Sequence, residues 1–136
     1  MNPAPKVQLS YSQILQVALD AGFPEHVAVA MTAIAKRESD GVPTAFNGNA
    51  ATGDESYGLW QINMRGQLGD ARMKQFGITA KAELFDAKVN ARAAFLTWGH
   101  NNRNLELCWY IDRPGYKERY EKHLPGAVLA SLGLAA

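Results

Sequence analysis

Between Tyr11 and Ala21 the apolar residues Ile14, Val17, Ala18 and Ala21 recur at the spacing of one helical face. Ser10, with Gln13 three residues on, has the form of a capping box, and Gly22 is placed to end the helix. A helix over Tyr11–Ala21 is therefore predicted. Pro24 suits the first turn of a second helix, whose apolar stripe runs Val27, Met31, Ile34. At about 3.6 residues per turn, Glu38 falls on that same stripe and points where the core points. Burial against apolar groups disfavours the charged form of a carboxyl, which is the condition a general acid near neutral pH requires. The bland alternative is a glutamate that reaches solvent at a fraying helix end beside Arg37.

Downstream, "FNGNAATGDESYGLWQIN" sets Asn47, Gly48, Asn49, Gly53, Asp54 and Gly58 around a short apolar run. Such residues supply turns and positive backbone angles, so a small turn-rich hairpin is expected, opposite the helix that carries the acid. Further on, Val89, Ala94, Phe95 and Trp98 mark another helix with Trp98 in the core, and Trp60 reads as a core or cleft-wall aromatic. "YKERYEKH" reads as a solvated helical face whose tyrosines alone are candidates for a cleft.

Composition narrows the function classes. The 136 residues, 47% apolar, suffice for one core and one domain over 1–136, with 1–9 as a flexible N-terminus. A formal charge of +1 gives no field for nucleic acid or an anionic membrane surface. Cys108 is the single cysteine, so an intramolecular disulfide and cysteine-rich metal sites are excluded. His26, His100 and His123 lack ligand spacing, so no metal and no cofactor are expected. "MNPAPKVQLSYSQ" lacks the apolar stretch of a secretory signal, so synthesis in a cytoplasm is the expectation. "LPGAVLASLGLAA" is apolar but shorter than the roughly 20 residues of a membrane span; a packed last helix, or a segment of a longer polypeptide, fits it.

"RES" followed by "SYGLWQIN" resembles the Glu-Ser and Gly-Leu-x-Gln motifs of the lysozyme-like superfamily, above all lytic transglycosylases of the soluble type and phage virion-associated muralytic domains. "LFDAKVNARAAFLTW" resembles the Asp-(Pro)-x-x-Asn-x-x-x-Ala helix of that family, and "CWYIDRPGYKERYEKHL" its closing Trp and Gly-Tyr segment. The resemblance covers Ser10 to Leu124. It implies an α+β, mostly α-helical fold, with a helical lobe and a small β-hairpin lobe flanking a cleft. It also implies cleavage of the β-1,4 bond between N-acetylmuramic acid and N-acetylglucosamine in peptidoglycan glycan strands, with Glu38 as catalytic acid.

In the animal lysozyme pattern an aspartate precedes Tyr-Gly, and here that position is Ser56. Adjacent strand residues face opposite ways, so Glu55 is expected to point away, while Asp54 keeps the facing parity but sits about 7 Å along the strand. Asp54 and Glu55 are thus the candidates for a second carboxylate, and a single-glutamate lytic transglycosylase, giving 1,6-anhydro-muramic acid ends, is the expected enzyme. The resemblance further implies that Gln61 and Asn63, with groups of Ser56, Tyr57 and Gly58, orient the acetamido sugar, and that Tyr110, Tyr116 or Tyr120 brace the acid or the acetamido group. Ser39 is either a catalytic partner or a local helix-end hydrogen bonder. Asn90 is expected to fix backbone rather than touch sugar.

The rival classes are a hydrolytic muramidase that uses Asp54, Glu55 or a positioned water, a non-catalytic glycan-binding module, and a helical structural protein. The expected setting is a monomeric domain of a phage enzyme, made in the infected cell and acting on the wall from the virion, alongside other virion proteins, or at lysis. A bacterial enzyme is the alternative source.

Overall fold

The computed structural model describes residues 6–49 and 51–134. Helix α1 spans Tyr11–Ala21, bounded as expected. The Ser10 hydroxyl accepts the Gln13 N–H at 3.1 Å, the Gln13 side chain accepts the Ser10 N–H at 2.9 Å, and Gly22 ends the helix at φ 114°. Of the expected flexible N-terminus, residues 1–5 lie outside the described residues. Gln8 and Leu9 both bond to the loop after the second helix: Gln8 Nε2 donates to Asp40 O at 2.7 Å and Leu9 N to Gly41 O at 2.8 Å.

Helix α2 spans Glu25–Ser39. Pro24 flanks it rather than lying in its first turn: its backbone is extended (ψ 152°), and its carbonyl accepts the Ala28 N–H at 2.8 Å. The helix is more enclosed than one apolar stripe implies. Ala28, Met31, Thr32, Ala33, Ile34 and Ala35 have no exposure, because α1 and the C-terminal helix pack against it. The small alanines and a threonine whose hydroxyl turns back to Ala28 O (2.8 Å) let these neighbours approach.

The expected hairpin is a three-stranded antiparallel sheet in order β1-β2-β3, with β1 Phe46–Asn49, β2 Asp54–Tyr57 and β3 Ile62–Asn63. Phe46 pairs with Tyr57, Asn47 with Ser56, and Ser56 with Asn63. There follow α3 (Gly66–Phe76), a 3₁₀ turn (Lys81–Phe85), α4 (Ala87–His100), α5 (Leu105–Trp109) and α6 (Tyr116–Ser131). Helix α6 runs through Pro125, which has no N–H to give to the preceding turn. Among the described residues no helix is long and apolar enough to cross a membrane.

The sheet is fastened to the helices by buried polar groups. Trp60 is fully buried, and its indole N–H donates to Met31 O at 2.8 Å, while the Trp109 indole donates to Trp60 O at 3.1 Å. Asn90 of α4, also fully buried, accepts the Trp60 N–H (3.0 Å) and donates to Tyr57 O (2.8 Å) and Leu84 O (2.9 Å). Asn90 therefore fixes backbone, as expected. Each of those groups left unpaired would cost about 1–3 kcal/mol, so this carboxamide holds the sheet to the helical lobe. Trp98 lies in the core against Phe23 and Phe95.

Candidate active site

A cleft of about 460 Å³ opens between the sheet and the helices, and Glu38 lines it. The apolar surroundings of α2 run out in its last turn, and there the expectation of a glutamate buried among apolar groups needs correction. The Glu38 side chain is 23% exposed, and Oε1 accepts a hydrogen bond from Arg37 Nη2 at 2.8 Å. Arg37 is the buried member of the pair, with no side-chain exposure. The same Nη2 donates to Trp109 O at 2.6 Å, and the guanidinium lies 5.3 Å from the Tyr116 ring. The end of α2 is thus tied to the end of α5.

The sheet supplies the facing wall, and strand alternation sorts its side chains. Asp54 and Ser56 line the cleft and the Ser56 hydroxyl donates to Asp54, whereas Glu55 is not among the lining residues. Glu55 instead accepts from Lys81 Nζ at 2.7 Å and from the Tyr57 hydroxyl at 3.0 Å. The Lys81 bond above all holds its carboxyl below the usual range, with burial opposing and Tyr57 assisting. Gln61 and Asn63 also line the cleft, with Asn47 beside them. Gln61 sits at φ 49°, donates to Gly58 O at 3.0 Å, and accepts from Asn47 at 2.8 Å, so its carboxamide is set in place by the sheet itself. The sequence offers Asn47 as one of several polar hairpin residues that could supply a turn or a hydrogen bond to a sugar, and its register opposite Ser56 puts it on the cleft face.

The remaining wall carries Tyr110 and Tyr116, whose rings meet edge-on at 5.3 Å. Tyr110 ends α5 in the left-handed conformation at φ 57°, and Arg113 stacks 3.9 Å from its ring. Two cleft residues other than glycine therefore hold positive φ, a form of stored backbone strain that packing must over-determine. Arg72 of α3, Thr97 of α4, Asn101 just past its end, and Ile62, Leu68, Leu107, Cys108 and Trp109 complete the lining. Of these, Leu68, Arg72, Asn101 and Leu107 lie outside every segment that carries the family resemblance.

The cleft thus brings together Glu38, Asp54, Ser56, Gln61, Asn63, Tyr110 and Tyr116. It does not include Ser39, Tyr57, Gly58 or Tyr120. The Ser39 hydroxyl donates to Ala35 O at 2.8 Å, the local alternative of the two expected roles. The Tyr57 ring packs between Phe46 and Phe85. Gly58, at φ 77°, lies against Asn90 and Leu84 O. Tyr120 is half-buried against the core, and burial pushes its phenol up. Among the described residues no group of three or more His, Cys, Asp or Glu side chains is placed to hold a metal ion.

A helical lobe and a small antiparallel sheet flanking a cleft, with a glutamate at the end of the central helix, define a lysozyme-like architecture. A family model described as a lysozyme-like domain matches residues 15–104, and the chain belongs to that family. The matched span takes in Glu38, the whole sheet, α3 and α4. No curated protein and no solved structure matches. Family membership points to a glycosidase that acts on peptidoglycan.

Proposed function

We propose that the protein cleaves the β-1,4 bond between N-acetylmuramic acid and N-acetylglucosamine as a single-glutamate lytic transglycosylase. The observation that carries this reading is the facing wall of the cleft, where Asn47, Ser56, Gln61 and Asn63 present neutral hydrogen-bonding groups across from Glu38 and the wall's one carboxylate, Asp54, accepts the Ser56 hydroxyl. Neutral amides and a hydroxyl suit an acetamido sugar, and they leave the substrate's own N-acetyl group to stabilise the oxocarbenium-like centre. Glu38 gives its proton to the glycosidic oxygen as the bond to the muramic C1 breaks. The resulting carboxylate then takes the proton of the muramic 6-hydroxyl as that oxygen attacks C1, which closes the 1,6-anhydro ring and returns Glu38 to its starting form. Tyr110 and Tyr116, packed against one another beside the acid, brace the sugar rings.

One observation favours a second reading. Asp54 also lines the cleft, so a hydrolytic muramidase would have a carboxylate available opposite Glu38. Mass spectrometry of muropeptides released from purified peptidoglycan separates the two. Anhydro ends, lighter by one water than reducing ends, are expected from the wild-type protein, and Glu38→Gln is expected to release nothing. Reducing ends that vanish in Asp54→Asn would establish the muramidase instead, and full activity in Glu38→Gln would remove Glu38 from the chemistry.

A further inference from the structure

Arg72 of α3 lines the cleft, and its bond to the end of β3 uses only part of its guanidinium. Its Nη1 donates to Asn63 O at 2.8 Å, the one hydrogen bond of its guanidinium to the described residues. An arginine fork carries five N–H donors, so most of its capacity is uncommitted. Among the described residues no carboxylate lies within ion-pair distance of it. Asp54 shares the cleft but takes the Ser56 hydroxyl. Cys108, the group nearest in charge terms, supplies no anion, because burial pushes its thiol up. Burial also pushes the guanidinium below the usual arginine range, while leaving it a cation at neutral pH. The remaining N–H groups of the fork are not sealed from solvent, so they stand open to a ligand that brings the counter-charge which the described residues lack.

Taking the peptidoglycan reading above as its basis, we infer that Arg72 is a specificity-determining residue that binds a carboxylate carried by the muramic acid side of the glycan. The planar fork suits a carboxylate in two-point contact, and Asn63 O holds one end of it in register. Two sources offer that chemistry. The stem peptide bears free carboxylates, and the lactyl group of muramic acid bears one wherever the peptide has been removed.

The test measures binding by calorimetry in the inactive Glu38→Gln background, with and without Arg72→Gln. The probes are intact glycan strands, strands stripped of peptide by an amidase, and uncharged chitooligosaccharide. Arg72→Gln is expected to weaken the carboxylate-bearing strands by on the order of tenfold or more and chitooligosaccharide by less than about twofold. Arg72→Lys, which keeps the charge without the fork, is expected to recover part of the loss. A loss confined to intact strands assigns the stem peptide; a loss that persists on stripped strands assigns the lactyl carboxylate. An equal change with all the probes, or no change with any, overturns the role of Arg72 while the cleft reading stands. Failure of the protein to bind any of them removes both. Thermal unfolding of each variant separates a folding defect from a binding one.

Discussion

Arg37 and Glu38 adjoin in sequence, yet one is sealed in the protein and the other opens onto the cleft. The sealed partner sets the stability cost of changing the open one. Besides the shared Nη2, Arg37 has Nε and Nη1 buried without a partner among the described residues, so Glu38 is its one counter-charge there. Glu38→Gln keeps a carbonyl oxygen that accepts from Nη2, whereas Glu38→Ala leaves the guanidinium with Trp109 O alone. Both variants are expected to lose turnover, but Glu38→Ala is expected to be less stable than Glu38→Gln by about 1–2 kcal/mol in urea unfolding, the scale of a lost charged hydrogen bond. Equal stability of the two would mean that the pair contributes nothing to the fold. The helical period placed Glu38 on the core-facing stripe, and its partial exposure beside Arg37 was legible only as the bland alternative. The burial of Arg37 was not legible, since two adjacent charged residues at a helix end look alike until the tertiary neighbours are known.

At the level of elements, legibility follows how local the determining contacts are. Helix α1 could be bounded from Ser10, Gln13 and Gly22 because its caps lie within its own sequence. Strand β3, at Ile62–Asn63, is too short to show alternation, and it exists because β2 offers it a partner. The continuity of α6 through Pro125 likewise depends on packing against α1 and α2. Gly58 is a point of close approach between the sheet and the helices. It holds φ 77°, and a methyl group there would run into the Asn90 carboxamide and Leu84 O. Gly58→Ala is therefore expected to destabilise by about 3 kcal/mol or more, read from denaturant midpoints, because strain and collision add. A milder, pH-dependent link joins α1 to α6, where the Tyr11 hydroxyl and His123 Nδ1 lie 2.8 Å apart. Burial, then Lys122 and Lys36, lower the His123 pKa from its ordinary 6.5, with Asp40 opposing. The unfolded chain then binds the proton more readily than the fold does, so this contribution is full above about pH 6.5 and is lost as pH falls from there toward the lower folded value. His123→Gln is expected to flatten the stability profile in that window, and an unchanged slope would show that His123 is not its source.

Across the whole molecule, motif order made the two-lobed plan readable. What it left unread was the part of the wall formed by Leu68 and Arg72 of α3 with Asn101 and Leu107, which lie outside the motif segments and converge only in the fold. The plan also frames the sharpest question, which is what the chain does with its facing strand. Ser56 is almost fully buried, lines the cleft, and gives its hydroxyl to Asp54, so a carboxylate introduced at this position would stand beside an existing one. Two carboxyls in contact do not both ionise readily, and Ser56→Asp alone is expected to keep one of them protonated and to change the products little at neutral pH. Combining Ser56→Asp with Asp54→Asn removes the like charge and leaves a single ionised group on the facing wall. In that double variant a rising share of reducing muramic acid ends, at the expense of anhydro ends, is the expected outcome, because a carboxylate able to trap the C1 centre competes with the 6-hydroxyl and leaves the intermediate to water. Unchanged product ratios in a folded, active double variant would mean that position 56 does not face the reacting carbon, and the search for what governs the outcome would move along the strand to Asp54.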